Sequence, residues 1–309
     1  MFHVAAFYKF CPLDASALPA LRETLRAYCA EQALRGLFLL APEGVNATLC
    51  GTRDAIADLL AYLESLPEIG ALSTKYSTCE TQTFSRLKVE IRPEIVSLKR
   101  PDIVPSSAAD ATHLSPTQWH ERVTSGEDVV LLDTRNDFEI GIGAFRGAIA
   151  PRTTDFAQFP GFAQGGELPH DKPILMYCTG GIRCEKAALV LQEAGYTDVF
   201  QLDGGILNYL EQFPNGEFEG ECFVFDRRVA VDRALKPTTT YTICPLFGDP
   251  ASTFITCEQC SQSGVVCSRC ATTHGRHVCS QNCEYHFSLR TTSRQYRHHT
   301  RKNKEKSIG

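Results

Sequence analysis

The strongest constraint on the fold is a rhythm in the middle of the chain. Three apolar runs, "DVVLLDTR", "PILMYC" and "DVFQLDGG", alternate with segments of helical character, "HLSPTQWHERVTSG" and the stretch from Arg183 to Ala194 closed by Gly195. Runs without polar alternation are strands buried on both faces, and strands that alternate with helices form a parallel sheet. The rhythm predicts an α/β domain over residues 112–215, set off by the Pro-, Ser- and Ala-rich linker "PDIVPSSAADA" at 101–111.

The flanks have other characters. Residues 1–100 read as strand, helix, two strands, helix, strand: "HVAAFYKFCPL", an amphipathic helix over 16–35, "LRGLFLLAPEGVNATLCG", the Thr-capped helix "TRDAIADLLAYLESL", and "FSRLKVEIR". The order βαββαβ predicts a ferredoxin-like, or acylphosphatase-like, α+β sandwich. Residues 216–309 lack periodicity and hold eight of the 14 cysteines. In a chain of 309 residues without a secretory leader, such cysteines point to metal or catalysis rather than disulfides. No apolar run is long enough for a membrane span, and "MFHVAAFYKFCP" is no secretory signal, so the reading is a cytoplasmic protein with no membrane partner.

The segment "ILMYCTGGIRCEKA" places Cys178 between an apolar strand and a helix N-terminus. Backbone N–H groups converge there and the helix dipole favours an anion, which a thiolate is. Gly180 and Gly181 let the loop curl around the sulfur, Thr179 and Ile182 complete it, and Arg183 adds a positive charge. These features lower a thiol pKa and make Cys178 a candidate nucleophile. Cys184, one turn into the helix, is a candidate resolving thiol or a packing residue. Asp133 and Arg135 end a neighbouring strand, Asp203 precedes a turn, and Glu43, Gly44 and Asn46 occupy a hairpin connection that is either a plain turn or a substrate-facing loop.

At these residues the chain resembles the rhodanese family, whose active-site loop is like "CTGGIR" and whose flanks are like "DVVLLDTRNDFEIGIGAFRGAIAP" and "VFQLDGGILNYLE". That resemblance implies a rhodanese-like central domain and a thiolate able to carry sulfur as a persulfide. "APEGVNATLCG", "CTGGIRCEKA" and "GECFVFDRRVAV" together resemble the bacterial tRNA uridine 5-hydroxylases that contain a rhodanese domain. This wider resemblance implies a tRNA partner, molecular oxygen as co-substrate, conversion of uridine 34 to 5-hydroxyuridine, and Cys178 as the essential residue. A sulfurtransferase carrying a persulfide on Cys178 is the alternative. A phosphatase is disfavoured by the loop, six positions from Cys178 to Arg183, one short of what a phosphoryl group takes. No glycine-rich dinucleotide fingerprint is present, so no nucleotide cofactor is expected.

In the C-terminal region Cys257 and Cys260 form one CxxC and Cys267 and Cys270 another. The spacing assigns these four to one tetrahedral zinc, with an Fe–S cluster as the lesser alternative. A second site is available from Cys244, His274, Cys279 and Cys283, with His277 nearby. The net charge of −5 does not steer the whole protein to nucleic acid, but "RTTSRQYRHHTRKNKEKSIG", residues 290–309, carries seven Lys or Arg against one Glu and could serve as an RNA-contacting arm.

Overall fold

The computed structural model describes residues 1–106, 112–273 and 277–289. Two compact units are present, Met1–Thr238 and a second beginning at Thr239, so residues 216–238 group with the preceding domains rather than with the cysteine-rich segment.

The first unit begins with β1 (Phe2–Phe10), α1 (Leu18–Glu31), β2 (Arg35–Ala41), β3 (Gly44–Gly51), α2 (Arg53–Glu64), β4 (Thr74–Cys79) and β5 (Leu87–Ile91). The sheet order is β4-β1-β3-β2-β5, the ferredoxin-like arrangement with β5 added parallel to β2 at the edge. Thr52 caps α2, its Oγ1 accepting from the Ala55 amide at 3.2 Å. The two-residue period of the strands gives the sheet two distinct faces. Ala5, Phe7, Phe38, Leu40, Val45, Ala47 and Leu49 turn to the helices and form the core. The opposite face carries Ala6, Tyr8, Leu37, Leu39, Asn46 and Thr48, and these line a cavity instead.

The apolar pattern marks a last strand at 84–92, which is β5, and gives no sign of β4. The reason is physical: β4 is a half-exposed edge strand, "TKYSTC", with no apolar run to mark it. Its register, Lys75 opposite Ala6 and Ser77 opposite Val4, turns Lys75 and Ser77 to the cavity face.

The central domain holds β6 (Thr112–Leu114), α3 (Pro116–Thr124), β7 (Val130–Asp133), α4 (Asp137–Ile140), β8 (Gly143–Phe145), α5 (Phe159–Gln164), β9 (Ile174–Tyr177), α6 (Ile182–Glu193), β10 (Val199–Leu202) and α7 (Gly205–Gln212). Strands β6, β10, β9 and β7 form a wholly parallel sheet in that order, as the apolar rhythm predicts. Then β11 (Phe218–Gly220) pairs with β8, and β12 (Cys222–Phe223) with β13 (Ala230–Val231). No helix among the described residues is long and apolar enough to cross a membrane.

Candidate active site

In a parallel α/β sheet the loops at the C-terminal strand ends collect function, and Cys178 is the first residue past β9. It is 1% exposed. The Gly181 amide donates to its Sγ at 3.0 Å, which requires the φ of +101° that Gly181 adopts. Gly205 explains the "LDGG" motif: a Cβ there would meet the Cys178 carbonyl oxygen at 2.5 Å and the Gly180 and Gly181 amides at 2.8 Å. Its absence lets the loop rest on the start of α7, where the amides of Ile206 and Leu207 donate to the carbonyls of Cys178 and Thr179 at 2.9 and 3.1 Å.

Burial by itself would push the Cys178 thiol up. The Cys184 thiol donating to it, the Arg183 charge and the loop amides outweigh that and bring it down to about 5. Cys184, fully buried with Thr134 Oγ1 at 3.6 Å, is held far above the ordinary thiol range by burial and by its hydrogen bond to Cys178. These opposite shifts favour a Cys178 thiolate that accepts a hydrogen bond from the Cys184 thiol.

Arg183 does not project into the cavity as a free cation. Its Nη1 and Nη2 donate to Glu139 Oε2 and Oε1 at 2.6 and 2.8 Å, and the Glu139 side chain is 0% exposed. Burial would raise the Glu139 carboxyl, but Arg183, with Arg135 and the Asn136 amide, holds it below the usual range. Arg183 thus shapes the loop and its charge is largely spent. Glu139 gives no signal in the sequence, as one of two acids in a helix of only four residues, Asp137–Ile140, makes no pattern to find. Thr179 Oγ1 lies 3.4 Å from both Glu139 and Arg183. Asp133 and Arg135 form a wholly buried ion pair, with Arg135 also donating to the Gly143 carbonyl at 2.6 Å.

Glu43 sits in the hairpin turn and Asn46 lines the cavity, but neither reading anticipates the ion pair that Glu43 makes. Glu43 is 6% exposed and pairs at 2.7 Å with Lys186, which lies on α6 eight residues past the candidate nucleophile and is itself 0% exposed. Glu94 approaches the same ammonium at 3.5 Å and accepts from the amides of Leu98, Lys99 and Arg100. Asn46 donates to the Ile95 carbonyl at 2.8 Å. Tyr8 donates to Glu185 Oε1 at 2.9 Å, and a Cβ on Gly181 would meet its hydroxyl at 2.8 Å. The motifs "APEGVN" and "CEKA" are two halves of one buried joint between the first sheet and the catalytic helix.

Above Cys178 opens a cavity of about 590 Å³. One wall is the free face of the first sheet, another the loop Cys178–Arg183, and a third the segment from Val224 to Leu235. Phe225, 64% exposed, stands in that third wall with its ring held edge-on by Phe223 at 5.0 Å. Arg228 ties the wall to the sheet by donating to Asp226 and, at 2.7 Å, to Ser77 Oγ. The motif "GECFVFDRRVAV" thus closes the cavity.

In the second unit the cysteines group differently from the spacing-based expectation. Cys257, Cys260, Cys279 and Cys283 have sulfur atoms within 4.8 Å of one another, and so do Cys244, Cys267 and Cys270. The two CxxC pairs do not share a centre because a hairpin, Thr253–Thr256 with Ser263–Val266, lies between them. Cys257 and Cys260 sit at its turn and Cys267 and Cys270 follow its open end, so four residues of strand, at ~3.3 Å each, hold them apart. His277 is described but joins neither group, while His274 and residues 290–309 lie outside the described residues.

Comparison with known proteins finds a family match for three successive stretches of the chain. The UPF0176 acylphosphatase like domain matches residues 2–95, the Rhodanese-like domain 115–212 and the Rhodanase C-terminal family 219–284. A rhodanese-like domain from Anabaena sp. is a structural neighbour at 24% identity, covering 35% of this chain and 78% of its own, with a TM-score of 0.30. The tRNA uridine(34) hydroxylase of Bdellovibrio bacteriovorus is 40% identical over 92% of this chain and 81% of that protein. The protein of the same name from Synechococcus elongatus is 45% identical over 83% and 94%. That from Agrobacterium fabrum is 40% identical over 87% and 85%. With three matching domains in order and such identity over nearly full length, the chain belongs to the tRNA uridine(34) hydroxylase family.

Proposed function

We propose that the protein hydroxylates uridine 34 of tRNA at C5, with Cys178 as nucleophile and dioxygen as co-substrate. The observation that carries this reading is a thiolate buried at the floor of a cavity walled by a sheet face, an aromatic ring and a reactive loop, a space suited to a base turned out of its stack. The thiolate adds to C6 of uracil, and the C5–C6 electron pair moves onto O4. The enolate carbon C5 bonds to one oxygen atom of dioxygen. Loss of the C5 proton and expulsion of the thiolate restore the double bond, and the second oxygen atom leaves as water at the cost of two electrons and two protons from an external reductant.

The cysteine groups are the ligands of structural zinc. A tetrahedron with zinc–sulfur bonds of ~2.3 Å has edges of ~3.8 Å, and the sulfur separations fit it: 3.6 Å for Cys260–Cys279, Cys279–Cys283 and Cys244–Cys270. Cys257, Cys260, Cys279 and Cys283 hold one ion, while Cys244, Cys267 and Cys270 supply three ligands of a second. Zinc at these positions fixes a segment whose strands are too short to fold alone.

The test is nucleoside analysis of tRNA from a strain lacking the protein. Loss of 5-hydroxyuridine, restored by the wild type and not by Cys178→Ser, supports the reading. Unchanged 5-hydroxyuridine, or loss of a thiolated nucleoside instead, gives the sulfurtransferase its place.

A further inference from the structure

Three cations line the cavity near Cys178 in addition to the exposed Lys99, and they differ in what faces them. Arg183 is bound to Glu139 and Arg228 to Asp226, each through paired nitrogens and oxygens. Lys75 is the third. Among the described residues no carboxylate forms an ion pair with it. Strand register turns it to the cavity face, and its Nζ stands 5.0 Å from the Tyr8 ring centroid. The Tyr8 hydroxyl stands where a side chain on Gly181 would reach, a Cβ there meeting it at 2.8 Å, and the Gly181 amide holds the Cys178 sulfur. Of the two acids whose charges act on it, Asp203 has the larger effect and makes no ion pair with it, while Glu185 is already occupied by Tyr8, His113 and Gln201. Burial lowers the Lys75 ammonium while Asp203, the Cys178 thiolate and Glu185 act to keep it charged.

Resting on the reading of the cavity as a uracil site, we propose that Lys75 is a catalytic residue that contacts O4 of the bound uracil and stabilises the enolate formed when Cys178 adds to C6. The charges are complementary: thiolate addition consumes the negative charge on sulfur and creates one on the far side of the ring, where a cation without a carboxylate is worth most in a partly dry site. The requirement exists before any oxygen enters. In the adduct the S–C6 bond has formed and the C5–C6 pair resides on O4. C5 can then take a deuteron from solvent, after which loss of the original C5 proton and of the thiolate returns uridine labelled at C5. No oxidant or reductant is needed.

The experiment is exchange of the uridine 34 C5 hydrogen in deuterium oxide without dioxygen, using full-length protein and an anticodon stem-loop RNA. Wild type should exchange it, and Lys75→Met should slow exchange about 100-fold or more while its dissociation constant for the RNA stays within about threefold. Lys75→Arg should recover part of the rate. The rate of Cys178 alkylation in each variant checks that the loop is intact. Lys75→Met exchanging at the wild-type rate, or losing exchange only in step with RNA affinity as a phosphate-binding lysine would, overturns the proposal. Wild-type protein that hydroxylates but never exchanges overturns it as well and leaves the hydroxylase reading standing, whereas protein that neither binds nor hydroxylates the RNA defeats both.

Discussion

At the scale of single residues, the site is a contest between burial and hydrogen bonding at one sulfur, and hydrogen bonding prevails. Since the Cys178 thiol titrates at about 5 when folded and near ~8.5 when unfolded, the folded state prefers the thiolate. The sign follows: the stabilisation is complete above the unfolded value and is lost as pH falls toward the folded one. The unfolding free energy of wild type minus that of Cys178→Ser should therefore rise from pH 5 to pH 8.5, and iodoacetamide alkylation of Cys178 should stay nearly flat from pH 6 to 8. Alkylation that climbs steeply between pH 7 and 9 would show an ordinary thiol. Arg183→Ala should impair the reaction less than Cys178→Ser, as the loop amides and Cys184 continue to stabilise the sulfur, while the uncompensated Glu139 carboxylate costs stability.

Among the elements, those with apolar periodicity were legible and those defined by partners were not. The strand-loop-helix around Cys178 could be read from "ILMYCTGGIRCEKA", because an apolar run, paired glycines and a helix are local signals. Strand β4 was invisible, being polar and half exposed, although it brings Lys75 and Ser77 to the cavity. The grouping of cysteines was illegible for a related reason: spacing records separation along the chain, and the intervening hairpin decides separation in space. Glu43 and Lys186 lie far apart in sequence and each looks unremarkable alone. Their joint makes a sharp prediction. Glu43→Gln leaves the buried Lys186 ammonium short of its nearer partner and should cost about 3 kcal/mol in urea unfolding, and the double variant Glu43→Gln with Lys186→Met should recover most of that stability. A double variant no better than the single one would mean that the ion pair is not the interaction that matters.

On the scale of the whole molecule, the two compact units owe their order to different forces. The first has three extended apolar cores, one under the first sheet and one on either face of the parallel sheet, and the second has only small clusters built largely of its cysteines. Metal should therefore matter to one and not the other. Purified protein should carry about two zinc ions per chain, and removing them with a chelator should open residues from Thr239 onward to protease while the fragment 1–238 resists. Protein that binds no metal and keeps the second unit protected would refute the zinc assignment. Deleting residues 290–309 tests the basic stretch separately, through the salt dependence of tRNA affinity, which should flatten by roughly one unit for each phosphate that the stretch neutralises.

The seclusion of Cys178, 1% exposed beneath its cavity, bears on how long such an enzyme survives in air. An acidic thiol is ordinarily the first to be consumed by oxidants and mixed disulfides. With the sulfur this secluded, access as well as acidity should set the rate of damage, and a flat base or a small gas should reach it more readily than a glutathione-sized disulfide. A bulky aryl disulfide should modify Cys178 at least about tenfold more slowly than its thiolate character predicts, whereas small alkylating agents should meet no such barrier. The protein can then hold its most reactive group charged and ready in the presence of the oxidant that the proposed reaction consumes.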